Sequence, residues 1–386
     1  MKIKINRQAL ISKLNHVTKA LPAKTTLPIL LGVKLVANEF GIFLTGSSLD
    51  ITISTSIPLA IATEKENLQL IEIEEAGEIV IPGKYFFEIT KKLTADIIEI
   101  NTFDDTDVLI CGDSGEYTLK GLPAPDYPQI ELSNVVHSFA ISTAKLKAII
   151  NQTTFAVAVN EARPTLTGVQ FKYANGVLAC TATDSFRLSQ RTITLEDPKL
   201  SEFKMTIPAT SLAELAKTIE LADAQTMVHV TSNQVLFENA KTSFQSRLLE
   251  GLYPDVDTFI PTSFEVKLVV AYRELFNAVD RVSLMARENR ASVAKITVLP
   301  EENCIMIKSH SSEIGKIEET VKIKEHNGSK FSIAFSALFL LDSLRAFEND
   351  DHDVTFGFNG DMKPFVILDN QDDANLQLIV PVRLED

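Results

Sequence analysis

Cysteine is scarce: Cys111, Cys180 and Cys304 are the three in the chain, odd in number and far apart. They form no CxxC pair, which argues against a disulfide framework and a zinc site and leaves small buried thiols in a reducing compartment. Long apolar runs are also missing. No stretch approaches the roughly 18 uninterrupted apolar residues of a membrane span. The start, Met1-Lys2-Ile3-Lys4-Ile5, alternates like a strand and lacks the apolar run of a secretory signal. The expected location is therefore cytoplasmic. Neither a P-loop nor a nucleophile elbow occurs. Basic residues are fewer than acidic ones, 37 against 51, for a net charge of −14. Such a chain, taken whole, is repelled by phosphate at long range. Any approach to nucleic acid has to come from a locally basic face.

What is present is a period of 126 residues. Ile81-Pro82 opens an apolar, helix-like stretch, Ile207-Pro208 a second and Ile333-Ala334 a third. Tyr127-Pro128 recurs at the same step as Tyr253-Pro254. A fixed period of this size means one domain-sized unit repeated. The expected domains are 1–128, 129–255 and 256–386, joined through the proline-bearing stretches Pro123–Val136 and Pro254–Ser263.

Each unit reads as two βαβββ halves. Gln8–Leu21 places Leu10, Ile11, Leu14, Val17 and Leu21 at the spacing of an amphipathic helix. Further helices are expected at Lys84–Leu93, Ala144–Ala158, Ser211–Leu221, Tyr272–Met285 and Ala337–Phe347. Alternating runs such as Ile29–Val36, Ile51–Ile57 and Tyr117–Leu122 read as strands. The fold class is α+β, with helices gathered on one face of antiparallel sheets.

Charge divides by element. Counted to Ala95 and Ala222 at their ends, the six helical stretches hold eleven basic and six acidic residues, although the chain as a whole is acidic. If these helices share a face, it is basic and suits phosphate contact without sequence preference. An enzyme is the competing class. Its best support is Asp350-Asp351-His352-Asp353, with Asp104-Asp105-Thr106-Asp107 as a second cluster, where carboxylates and histidine could hold a divalent metal. Acidic turns between elements explain both clusters more simply. No catalytic residue, metal or cofactor is expected. A repeat scaffold that binds proteins only is the third class.

Four segments carry a resemblance. Lys24-Thr25-Thr26-Leu27-Pro28-Ile29-Leu30 and Thr183-Asp184-Ser185-Phe186-Arg187-Leu188 are two; Gly251-Leu252-Tyr253-Pro254-Asp255 and the terminal Val380-Pro381-Val382-Arg383-Leu384 are the others. In this order, on a threefold repeat of this length, they resemble the bacterial sliding clamps, the β subunits of DNA polymerase III. The resemblance implies three clamp domains and a ring-shaped homodimer, helices lining the inside and sheets outside. It implies a non-catalytic processivity factor encircling duplex DNA. Its implied partners are the polymerase III α subunit, the clamp loader, repair polymerases and mismatch-repair proteins, bound through short linear motifs.

By position, the resemblance implies a peptide pocket of Leu166, Thr183, Ser185, Phe186, Arg187, Leu188, Pro254, Ser336, Phe339, Met362, Val380, Pro381, Val382, Arg383 and Leu384. It implies DNA contacts from Lys24, Asn160 and Arg163, and the basic helices add Lys84, Lys91, Lys217 and Arg281. It implies Tyr117, Leu284 and Met285 at the joint between copies. The chain departs from the family pattern at Phe186, where a histidine is usual, and at Thr258, where an arginine is. It departs again at Pro164-Thr165, an aromatic pair in the family, and at the extra Glu385-Asp386.

Overall fold

Half-exposed Lys2, Lys4 and Asn6 alternate with fully buried Ile3 and Ile5. That period of two makes a strand with one face on a core, and it recurs along the computed structural model. The structure describes the chain except residues 63–66, 105, 113–114, 129, 131–133, 160–161, 196, 198, 221–223, 287–291, 348–351 and 384–386, and the side chains of 61, 62, 67 and 68.

The first repeat runs β1 (Lys2–Asn6), α1 (Arg7–Val17), β2 (Gly32–Asn38), β3 (Gly41–Ser47), β4 (Ile51–Ile57), β5 (Ala60–Ala62), β6 (Asn67–Gln69), β7 (Ile71–Glu75), β8 (Gly77–Pro82), α2 (Gly83–Lys92), β9 (Ile97–Phe103), β10 (Asp107–Cys111) and β11 (Glu116–Lys120). The second runs β12 (His137–Ser142), α3 (Thr143–Thr153), β13 (Gly168–Ala174), β14 (Val177–Thr183), β15 (Arg187–Thr194), β16 (Phe203–Pro208), α4 (Ala209–Thr218), β17 (Gln225–Val230), β18 (Gln234–Asn239) and β19 (Thr242–Arg247). The third runs β20 (Val266–Ala271), α5 (Tyr272–Ala286), β21 (Val293–Leu299), β22 (Cys304–Ser311), β23 (Gly315–Asn327), β24 (Phe331–Ser336), α6 (Ala337–Arg345), β25 (Asp353–Phe358), β26 (Phe365–Asp369) and β27 (Asn375–Ile379).

The second and third repeats follow the expected doubled βαβββ plan. The first adds β5, β6 and β7. Strand β23 pairs with β22 and then bends on to pair with β20. In the first repeat that work is shared: β4 pairs with β3, β7 pairs with β1, and the β5–β6 hairpin interrupts them. The strand expected over Ile29–Val36 begins at Gly32 instead. Pro28, with its fixed φ, starts a 3-10 turn through Leu31. A Cβ on Gly32 would lie 2.3 Å from Val80 Cγ1.

The chain forms two compact units, and they do not coincide with the repeats. The first holds Met1–Ala144 and Thr210–Leu248; the second holds Lys145–Ala209 and Leu249–Asp386. Within the first, β19 pairs with β4 in an eight-stranded sheet. Within the second, β15 pairs with β27 in a twelve-stranded sheet. The middle repeat therefore gives one half to each. The second unit's core includes Phe335, Phe356, Phe358 and Phe365 beneath α5 and α6, and Tyr272 Oη donates to Leu344 O at 3.0 Å between those helices.

The repeated Tyr-Pro landmark has a physical role. Tyr127 is buried, donates through Oη to Gly32 O at 2.8 Å and accepts from Ser47 N at 2.9 Å. Burial pushes its phenol above the usual value. Tyr253 likewise donates to Thr181 O at 3.3 Å. Each linker is thus tied to the end of the third strand of the repeat it leaves. Replacing Tyr127 with Phe strands a buried N–H and carbonyl, and is expected to lower stability by about 1–3 kcal/mol. Urea denaturation of the full chain measures it; an unchanged midpoint would show that water replaces the latch.

Candidate functional site

The segment Thr183–Arg187 is a turn held by its own side chains. Asp184 Oδ1 accepts from the backbone N–H of Phe186 at 2.9 Å and of Arg187 at 3.0 Å. Thr183 Oγ1 accepts from Ser185 N at 3.1 Å and donates to Arg187 O at 2.6 Å. Such short polar side chains form turns because they reach their own backbone. Together they hold Ser185 at φ 79°, a left-handed conformation uncommon for a residue with a Cβ. The result presents the Phe186 ring at the tip, 62% exposed.

Arg187 points the other way, and its side chain is only 12% exposed. Its Nε donates to Asp184 Oδ2 at 3.1 Å, Nη1 to Asp342 Oδ2 at 2.8 Å and Nη2 to Phe155 O at 2.7 Å. Its guanidinium carbon lies 4.5 Å from the Phe339 ring centroid and 5.3 Å from that of Phe155. Only a planar fork can satisfy three directions and still stack on rings. Arg187 is therefore an organiser of the wall. Ser336 supports the same wall, since its Oγ caps α6 by accepting from Phe339 N at 3.4 Å.

The chain's last described residues complete it. Val380 N donates to Phe186 O at 2.9 Å, and Val382 N donates to Ala334 O at 2.8 Å. Pro381 between them has no N–H to place. Val380 packs on a small cluster that includes Leu188, Val256, Val366 and Leu378. Arg383 is exposed.

The structure thus gathers Thr183, Ser185, Phe186, Arg187, Leu188, Ser336, Phe339, Val380, Pro381 and Val382 in one region of the second unit. Leu166 is buried in the 3-10 turn Pro164–Thr167. Pro254 follows the Tyr253 latch, and Met362 stands half-exposed between β25 and β26; neither is joined to the cluster by a hydrogen bond. Leu384 lies outside the described residues, as do Glu385 and Asp386. Sequence reasoning missed Phe155, Asp184 and Asp342. Asp184 was findable as an i, i+3 partner of Arg187; the other two are 32 and 155 residues distant and carried no local signal.

The basic candidates fall into two groups. Lys24, Lys84 and Arg163 are exposed and form no ion pair among the described residues. Lys91 sits 3.6 Å from Glu88, and Lys217 lies 2.8 Å from Glu214. Arg281 grips Glu319 with Nε at 2.8 Å and Nη2 at 2.9 Å, a hydrogen-bonded pair that raises the arginine's pKa and lowers the glutamate's. Asn160 lies outside the described residues. Of the joint residues, Tyr117 is 42% and Leu284 60% exposed, and Met285 is half-buried.

Asp105, Asp350 and Asp351 of the two acidic clusters also lie outside the described residues. Within the rest of those clusters, Asp353 is paired with Lys324, and His352 is buried face-on against Tyr272 at 4.6 Å. No set of three metal-ligating side chains gathers among the described residues. No helix among them is long and apolar enough to cross a membrane.

Comparison with known proteins adds a family. The N-terminal, central and C-terminal domains of the DNA polymerase III beta subunit match residues 1–131, 140–255 and 257–383 in turn. The beta sliding clamp of Bacillus subtilis is 38% identical over 383 residues, covering 99% of this chain and 100% of that protein. The crystal structure of the Bacillus subtilis DNA polymerase sliding clamp superposes with a TM-score of 0.93 at 38% identity, over 100% of both chains. A Pseudomonas aeruginosa sliding clamp, solved bound to griselimycin, does so with a TM-score of 0.90 at 25% identity, again over 100% of both. The chain therefore belongs to the DNA polymerase III beta subunit family, the sliding clamps, and is a non-catalytic processivity subunit.

Proposed function

We propose that two copies of this chain close into a ring around duplex DNA, and that the wall organised by Arg187 receives short linear segments of partner proteins. The observation that carries the ring is the tandem match of all three family domains along one chain. The matched spans also support domains at 1–128, 129–255 and 256–386. Exposed Lys24, Lys84 and Arg163, without ion pairs among the described residues, give phosphate contacts that carry no base readout. Retention by encirclement needs no tight contact, so a chain of net charge −14 can hold DNA by topology. Exposed Tyr117 and Leu284 are apolar side chains that a second copy covers. The setting is the cytoplasm, at the nucleoid.

Exposed Phe186 and Met362, half-buried Phe339 and the Val380–Val382 tail offer apolar walls, with backbone groups nearby to orient an extended ligand. The Pseudomonas relative's bound griselimycin supports a ligand site in this family. The polymerase α subunit is the first expected partner. The clamp loader, repair polymerases and mismatch-repair proteins are expected to compete for the same place.

Loaded protein should stay on nicked circular DNA and run off once the circle is cut. Equal loss from circle and line would mean surface binding, and no retention on either would favour a protein-only scaffold. Deleting Val380–Asp386 should abolish binding of a polymerase-derived peptide while gel filtration still shows two chains. Retained peptide affinity would place the pocket elsewhere. Arg187→Ala should weaken that affinity by about tenfold or more, because it removes the guanidinium that joins Phe155 O to the carboxylates of Asp184 and Asp342. Arg187→Lys should rescue little, since an ammonium cannot reproduce the fork.

A further inference from the structure

The ends of α1 and α4 are joined inside the first unit by lysine side chains. Lys13 Nζ, on α1, donates to Oε1 of Glu220, two residues past α4, at 3.1 Å. Lys19, in the turn that follows α1, donates to Lys217 O in the last turn of α4 at 2.9 Å. A cation suits that place, because the last carbonyls of a helix carry its negative end. Lys217 Nζ donates in turn to Glu214 Oε1 at 2.8 Å. These groups stand away from the apolar stripes, which bury Leu10, Leu14 and Val17 of α1 and Leu212 and Leu215 of α4.

The second unit handles the same helix differently. The sixth and ninth residues are Glu214 and Lys217 on α4, and Asp342 and Arg345 on α6, an acid and a base paired one turn apart in each. On α6 the acid also takes Arg187, whose side chain is covered by two rings. On α4 the acid pairs with its own Lys217, and the carboxylate that reaches across to the first helix is Glu220. The cation it holds, Lys13, stays at the surface of the helix layer.

The charges at this junction answer one another. Its three lysines face two carboxylates, Glu214 and Glu220. Burial, then Lys13 and Lys19, push the His16 imidazole below its usual value, and Glu220 pulls it the other way. His16 Nδ1 has no hydrogen-bond partner among the described residues. The hydrogen bond from Lys13 holds the Glu220 carboxyl below the usual carboxylate range. The Lys13 side chain is 18% exposed and that of Glu220 52%, so the lysine lies along the protein and the carboxylate covers its end from the solvent side. A lysine in that position already has its counter-ion. It gains little from a phosphate, since the affinity of a basic residue for DNA comes from the small ions it displaces.

We propose that Glu220 is a built-in counter-ion that withholds Lys13 from duplex DNA, so that the α1–α4 junction meets the phosphodiester backbone at reduced strength. The inference rests on the encirclement reading above and adds to it a residue that loosens the grip. An exposed ion pair of this kind is weak enough to open. A lysine shared between a carboxylate and passing phosphates holds neither tightly, which suits a protein that must keep DNA without gripping it.

Salt titration of duplex binding by the full chain tests this. Glu220→Gln should tighten binding of a labelled duplex by about threefold or more at low salt. It should also steepen the fall of log K with log salt by about 0.9, the share of one phosphate. Lys13→Gln added to Glu220→Gln should return both quantities to the parent's values. Glu39→Gln, at the exposed turn between β2 and β3, should change neither. An unchanged slope in Glu220→Gln would overturn the proposal. An equal effect from Glu39→Gln would overturn it too, because net charge alone would then be acting. A parent chain that is not retained on nicked circular DNA after loading would overturn the encirclement reading itself.

Discussion

Antiparallel pairing between halves of successive repeats is the constraint on which the rest depends. A βαβββ half packs its helix on one face of a small sheet but leaves a strand edge with unspent N–H and C=O groups. Such an edge is finished by pairing or it recruits whatever is near. Here β4 is finished by β19 and β15 by β27, each through five opposed residues. The wall around Arg187 is a by-product of one such finish. The turn that feeds β15, the tail that leaves β27 and the first turn of α6 meet because those strands pair. Arg187 then locks the meeting point with three hydrogen bonds and two rings.

Much of this was legible in the sequence, and the limits are physical. The six helices announced themselves through apolar spacing because each buries one stripe against a sheet. Their ends differ by a few residues: Thr18–Ala20 tightens into a 3-10 turn after α1, and Thr154–Ala156 does so after α3. The period of 126 residues gave the repeats, yet not the compact units, since those depend on pairings such as Thr55 with Thr242 that no local pattern records. The Tyr-Pro landmark was visible as a recurrence, but its cause, a phenol reaching back to the repeat it follows, needed coordinates. The turn Thr183–Arg187 was recognisable as a motif. The roles within it were not, because Asp342 and Phe155 come to Arg187 only through the fold.

Electrostatics shows the same split between composition and placement. Counting charges marked the helices as basic overall. The structure separates cations already engaged, such as Arg281 on Glu319 and Lys217 on Glu214, from Lys24, Lys84 and Arg163, which are exposed and free of ion pairs among the described residues. A surface ion pair is worth little to stability, but it sets where a side chain points. Arg281 and Lys217 are turned toward Glu319 and Glu214 in the structure, and a count of residues carries none of that.

The division of the middle repeat has a consequence for how the protein comes apart. Its second half belongs to the compact body built on Met1–Ala144, and its first half to the one that includes Leu249–Asp386. Strand pairs β4–β19 and β15–β27 join neighbouring repeats. A fragment cut at the repeat boundaries would carry raw strand edges on both flanks, and its denaturation would report a truncated sheet, not a domain. The unit that recurs in the sequence and the unit joined by hydrogen-bonded sheet are therefore different things.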